Sequence, residues 1–178
     1  MFTRHHKVWP RELPKTMTLP QTSLFTNLEI SALRYPDHTA IGYYAILRAD
    51  AVVIPVNPMN RASELEHYIS DTKATVCLAG MELAGFIAPL VGKTYLERVV
   101  VAAYSTYVRE PTDLALPAEV AADPKPLDAP GLLSWEDALN AGHEPGRHTA
   151  GPDDLAVIPY SSGTTGQPKG CMHVHRGP

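Results

Sequence analysis

Cysteine is nearly absent: the 178 residues contain two, Cys77 inside an apolar run and Cys171 just after a glycine-rich segment. Two isolated thiols make neither a disulfide framework nor a zinc or redox spacing. Basic excess is absent too. The 15 Lys and Arg stand against 19 Asp and Glu for a net charge of -4, which gives no positive field for nucleic acid. No long apolar run occurs either. The segment from Met1 to Lys15 carries Arg4, Lys7, Arg11 and Lys15 without a hydrophobic stretch, and reads as neither signal peptide nor membrane span. A cytoplasmic location is the resulting expectation. Aromatics are sparse at 7%, and Trp9, Tyr43 and Tyr44 are not interleaved with a basic patch, so they read as packing groups rather than a stacking platform.

What the chain does have is 44% apolar content, enough to bury one core as a single domain or part of a larger one. It also has one segment of unusual composition. From Tyr160 to Gly170 the sequence is Tyr-Ser-Ser-Gly-Thr-Thr-Gly-Gln-Pro-Lys-Gly, four Ser/Thr hydroxyls and three glycines around one lysine, just after the apolar run Leu155-Ala156-Val157-Ile158. Glycines let the backbone turn through positive φ and bring N–H groups close to an anion. Ser161, Ser162, Thr164 and Thr165 add hydroxyl donors, and Lys169 adds charge. The residue types suit a polyphosphate. A Walker A loop needs glycine before its lysine and Ser or Thr after it. Pro168 and Gly170 occupy those positions, so two defining residues of an ordinary P-loop NTPase are missing. A surface linker with an incidental lysine is the plainer alternative, and the ordered sequence argues against it.

The stretch from Ser162 to Lys169 resembles, at every position, the phosphate-binding signature of the adenylate-forming superfamily: acyl-CoA synthetases, luciferases and the adenylation domains of peptide synthetases. Tyr43 to Ala51, then Val53-Ile54-Pro55-Val56-Asn57-Pro58, and Asp153-Asp154-Leu155-Ala156 resemble the same family, with wording nearest to bacterial fatty-acyl-CoA synthetases. The resemblance implies a fold and a chemistry. The fold is α/β, a parallel sheet of βαβ units forming part of the large N-terminal domain of an adenylate-forming enzyme. The chemistry is attack of a carboxylic acid, possibly a fatty acid, on the α-phosphorus of ATP, followed by transfer of the acyl group to coenzyme A. ATP with Mg2+ and coenzyme A are the implied cofactors. Ser161, Ser162, Gly163, Thr164, Thr165, Gly166 and Lys169 are the implied ATP phosphate-binding residues, with the hydroxyls and Lys169 gripping the β- and γ-phosphates. No complete catalytic set and no metal ligand is expected in this chain.

Along the chain, Ser23 to Arg34 reads as an amphipathic helix stopped by Pro36, and Asp37 to Ile41 as the start of a strand. Only Gly42 separates that strand from a helix over Tyr43 to Ala49. In the resembling family a hairpin, a helix and a buried strand intervene there, which implies an internal deletion between Ile41 and Gly42. A strand is expected over Ala51 to Val56, then a helix opened by a capping box at Ser63-Glu64-Leu65-Glu66. Strand Thr75 to Ala79, helix Met81 to Val91 and strand Arg98 to Ala102 follow, an alternation that indicates βαβ units. Residues 1–22 read as an extended N-terminal segment. Residues 111–153 read as a mostly irregular connector, whose prolines between Pro111 and Pro130 rule out regular structure. Within it, Ser134 is expected to cap a short helix through Leu139.

Four further candidates are weaker. Cys171 follows the glycine-rich loop, yet no general base is specified beside it, so a small residue opening the next strand is the simpler reading. Cys77 reads as core. His173 and His175 alternate, which in a strand would place both imidazoles on one face, but no third metal ligand is near. His5-His6 is weaker still.

The leading expectation is therefore a partial N-terminal AMP-binding domain of an acyl-CoA synthetase, without the C-terminal domain and inactive alone. The alternatives are a stand-alone phosphate- or nucleotide-binding module and a non-functional gene remnant. The partner expected is a small-molecule carboxylic acid in the full-length relatives, with neither nucleic acid nor a transmembrane segment. Self-association is expected through sheet edges left unpaired at Val52 to Ile54 or Val99 to Val101.

Overall fold

The computed structural model describes residue 23 together with residues 42–108, 115–161 and 167–177. The chain divides into two compact units, Val56–Glu144 and a second made of Met1–Pro55 with Pro145–Pro178. The expected helix beyond Ser23, the expected strand Asp37 to Ile41, Trp9 and the His5-His6 pair lie outside the described residues.

In the Val56–Glu144 unit, helix α2 (Ala62–Thr72) precedes strand β1 (Val76–Gly80). The capping position differs from the expectation. Arg61 is the N-cap, and its N–H donates to the Glu64 carboxylate at 2.7 Å, so the box starts two residues before Ser63. Only this half of a capping box is chemically available, because a guanidinium has no acceptor. At the other end Lys73 takes the left-handed conformation (φ 54) and its N–H donates to Ile69.

The helix expected over Met81 to Val91 is broken. A single α turn, α3 (Ala84–Ile87), lies between 3-10 turns Met81–Leu83 and Ala88–Leu90. Pro89 supplies the cause, since it has no N–H to donate four residues back and its ring crowds that carbonyl. Strand β2 (Arg98–Ala102) then pairs in parallel with β1, Val76 opposite Arg98 through Gly80 opposite Ala102. Two further elements arise within the stretch expected to be irregular. Helix α4 (Ala118–Ala121) forms one turn inside the proline-rich segment, with Pro117 just outside its start where a missing N–H costs nothing. Strand β3 (Leu132–Ser134) pairs in parallel with β2. Helix α5 (Trp135–Asn140) opens as expected on Ser134, whose Oγ accepts from the Asp137 N–H at 3.0 Å.

The strand order is β1-β2-β3. This corrects the expected edge at Val99 to Val101: β2 is central, and Val99 and Val101 are both fully buried. They pack with Ile69, Ala84, Ile87, Leu90 and Leu96, with Cys77, Ala79, Leu127 and Leu132 around them. Burial pushes the Cys77 thiol pKa up, in keeping with a core residue. Gly131 makes the entry to β3 possible. Its φ is +81°, and a Cβ there would lie 2.7 Å from Val91 and 2.8 Å from the Glu97 carbonyl. On the opposite sheet face, Leu78, Val100 and Leu133 align across the three strands, and Leu78 and Leu133 are exposed.

In the other unit, helix α1 (Gly42–Arg48) buries Leu47 against Val53, Ala156 and Val157, with Tyr43 and Ile46 packed beside them. Strand β4 (Leu155–Val157) pairs antiparallel with β7 (His173–Val174), and β5 (Tyr160–Ser161) antiparallel with β6 (Lys169–Gly170). The strand expected over Ala51 to Val56 reduces to one parallel bridge, Val53 to Val157. Val53 N–H donates to Ala156 and Ile158 N–H to Val53, both at 2.9 Å. Pro55 on one side and Pro159 on the other have no N–H with which to extend the ladder. Among the described residues no helix is long and apolar enough to cross a membrane.

Candidate functional site

The glycine-rich segment sits on a hairpin. Ser161 on β5 stands opposite Lys169 on β6, and Tyr160 opposite Gly170, so the backbone folds back and returns the lysine beside the serine where it began. Ser161 and Lys169 are both exposed. Ser162, Gly163, Thr164, Thr165 and Gly166 lie outside the described residues. The close pairing depends on Gly170: a Cβ there would come within 2.7 Å of Ile158 and 3.2 Å of the Tyr160 ring. Cys171 anchors the return strand through its N–H, which donates to Pro159 at 2.9 Å, and its side chain is exposed.

A hydroxyl and an ammonium at the mouth of one hairpin fit an anion such as the polyphosphate of ATP. Among the described residues no group of three or more His, Cys, Asp or Glu side chains gathers into a metal-ligand set. The two imidazoles set two residues apart do not meet either. His173 stays in β7 with Nδ1 3.4 Å from the Gly177 carbonyl oxygen, while His175 leaves the strand and is buried.

A polar cluster that sequence reasoning missed forms at the end of α1. Asp50 sits in the left-handed region (φ 54). Its carboxylate accepts from the Thr149 hydroxyl at 2.6 Å, the Thr149 N–H at 2.8 Å and the Ala150 N–H at 3.3 Å. The Thr149 hydroxyl above all, then the backbone donors and His148, hold its carboxyl pKa down at about 2 against the opposing effect of desolvation. His148 Nδ1 lies 2.5 Å from Asp50 Oδ1, and its Nε2 is 2.8 Å from Ser23 Oγ. The distances follow the order of a nucleophilic Ser-His-Asp triad. Ser23 is 2% exposed, however, which denies a substrate carbonyl any approach, and the cluster reads as a structural tie. The only local signal was an aspartate at a helix terminus, where a left-handed residue is common. Its partners lie about 100 residues away in sequence, with no spacing pattern to announce them.

In the Val56–Glu144 unit a cleft of about 320 Å3 opens at the carboxyl ends of β2 and β3, between Ala103, Pro126, Leu127 and Ser134.

These features agree with comparisons to known proteins. A long-chain-fatty-acid–CoA ligase of Escherichia coli O6:H1 is 30% identical over 150 residues, 81% of this chain and 26% of the ligase. A benzoate–CoA ligase of Thauera aromatica is 31% identical over 134 residues, 75% of this chain and 21% of that enzyme. The chain thus spans about a quarter of the length of these relatives. A solved structure of a long-chain-fatty-acid-CoA ligase from Archaeoglobus fulgidus matches with a TM-score of 0.59 at 21% identity, over 90% of this chain and 38% of that one, which establishes the shared fold. The sequence profile of the family described as AMP-binding enzyme covers residues 32–178, from before α1 through the β5–β6 hairpin and β7. On that span, this chain belongs to the AMP-binding enzyme family.

Proposed function

We propose that this chain is the polyphosphate-gripping part of an acyl-CoA synthetase acting on a carboxylic acid, with a fatty acid the favoured class. The observation that carries the reading is Lys169 standing opposite Ser161 at the mouth of the glycine-rich hairpin. Ser161, Ser162, Thr164, Thr165 and Lys169 would hold the β- and γ-phosphates of ATP. Gly163 and Gly166 would let the loop close over them. Bound ATP would supply the electrophilic α-phosphorus and the pyrophosphate leaving group. The residues of this chain act on the charge of that leaving group. Magnesium would arrive with the nucleotide, and coenzyme A would receive the acyl group in the second half-reaction. A cytoplasmic setting fits this chemistry.

The grip alone is weak. Roughly three or four charge-assisted hydrogen bonds of about 1.5 to 3 kcal/mol each must offset an association cost of about 4 to 15 kcal/mol. Calorimetry with ATP should give millimolar, salt-sensitive binding that Lys169→Ala abolishes. Equal binding by wild type and Lys169→Ala would overturn the assignment. Low-micromolar affinity dependent on Lys169 would instead favour a self-sufficient nucleotide-binding module. Acid-dependent exchange of pyrophosphate into ATP is expected to be absent from the 178-residue chain, which spans about a quarter of the length of the relatives it matches.

We also propose that the chain self-associates through the sheet of its Val56–Glu144 unit. Leu78 and Leu133 lie exposed on a face of a parallel sheet, an architecture whose two faces are ordinarily covered.

A further inference from the structure

We propose that the cluster of Asp50, His148 and His175 is an acid-sensitive latch that holds residues 146–150 against the end of helix α1. Three attachments make the latch. The Asp50 carboxylate accepts from Thr149 N–H, Thr149 Oγ1 and Ala150 N–H. Arg48, the last residue of α1, donates from Nη1 to the Gly146 carbonyl at 2.7 Å. His148 is clasped between Asp50 Oδ1 at 2.5 Å and Ser23 Oγ at 2.8 Å. The segment from Gly146 to Ala150 is otherwise without helix or strand, so these side-chain contacts set its position.

His175 is the trigger. Its ring meets the His148 ring edge to face with centroids 6.5 Å apart, and the residue is 3% exposed. The ionisable groups facing it are His148 and Asp50 of the latch and Asp154 beside β4. Its near neighbour Arg176 is engaged by Asp153. Its own N–H donates to the Asp154 carbonyl, which ties the trigger to the β4–β7 pair.

A proton on His175 would place a positive charge in a site shielded from water and beside a second imidazole. The Asp154 and Asp50 carboxylates oppose that cost without cancelling it. Burial first and His148 second lower the His175 pKa below its ordinary 6.5. The sign follows from linkage. Between the ordinary value and the lowered one, the open form binds the proton and the closed form does not. The closed latch is therefore fully favoured above about pH 6.5 and loses stability as pH falls from there through the lowered value. Asp50 titrates much lower, so its charge is constant across the interval from pH 7.5 to 5.5, and the His175→Asn variant identifies the contribution of His175. The inference stands independently of nucleotide binding.

The test is NMR on the whole chain. Protection of the Thr149 and Ala150 amides, corrected for intrinsic exchange, should fall between pH 7.5 and pH 5.5 in the wild type. It should be level across that range in His175→Asn. A second measurement holds if the variant fails to fold: the His175 imidazole of the wild type should titrate at lower pH in the folded chain than in the same chain unfolded by urea. Equal amide protection at both pH values, wild-type pH dependence in His175→Asn, or a folded-state titration at or above the unfolded one would each overturn the latch.

Discussion

Gly170 presents its bare Cα to the ring of Tyr160, and a methyl group there would sit 3.2 Å from the ring and 2.7 Å from Ile158. The contact is short because β5 and β6 are paired at this point, with Ser161 and Lys169 opposite each other one step nearer the loop. Gly170→Ala should therefore part the hairpin stem, at a cost of about 1 to 3 kcal/mol from overpacking. Thermal unfolding should show the loss, and ATP binding should weaken with Lys169 still present. Wild-type stability and binding in Gly170→Ala would mean that the stem has room to spare.

Leu96 is 1% exposed and packs in the core that lies on β2. Leu96→Ala should cost about 2 to 5 kcal/mol, the range for deleting a buried leucine side chain. The expected readout is a lower urea midpoint for the Val56–Glu144 unit, followed by a probe within that unit. A shift below about 0.5 kcal/mol, the scale of a surface substitution, would show that the position is not core.

Ser134 caps α5 through its hydroxyl oxygen, which accepts from Asp137. Ser134→Ala should destabilise by about 1 kcal/mol, while Ser134→Thr should retain most of the stability because its hydroxyl can accept from the same N–H and still donate to the Asp137 carboxylate, as Ser134 does at 2.6 Å. Equal midpoints for Ala and Thr in chemical denaturation would contradict the capping role.

Asp50 is exposed, yet its carboxyl is held at about 2, below the ordinary 3.8, chiefly by the Thr149 hydroxyl. A depressed carboxylate pKa adds stability above its unfolded value and loses it as pH falls through the folded one. The loss should run from about pH 4 down to about pH 2. Asp50→Asn should be less stable than wild type at pH 7 and should lack that acid-sensitive component. Acid titrations followed by circular dichroism would decide it, and coincident curves for the two proteins would refute the assignment.

Association through the exposed sheet face makes Leu78→Lys informative. The wild type should elute earlier in size-exclusion chromatography as its concentration rises, and the variant should elute as a smaller, concentration-independent species. A monodisperse wild-type monomer at all concentrations would remove the self-association proposal.

Local rules reach a definite part of this molecule. The order of strands and helices from Ala62 to Ala102 follows from apolar runs and helix signals, Ser134 announces its own cap, and the hydroxyl and glycine spacing around Lys169 carries the family resemblance before any fold is known. Each depends on residues a few positions apart. Pro89 is equally legible, and it outweighs the apolar pattern by breaking the Met81 to Val91 helix. Strand rank in the sheet was beyond local reading: Val99 to Val101 look the same as a lone edge and as a central strand, and the short pairing of Leu132–Ser134 against β2 decides which. The Asp50 cluster was more distant still, because Thr149 and Ala150 reach Asp50 across about 100 residues. The sequence by itself determined the family signature and the βαβ alternation, since propensity, capping and glycine spacing act over a single turn or strand. Tertiary structure alone decided which strand lies inside and which polar groups meet, because those depend on loop closures that bring remote segments together and bury them.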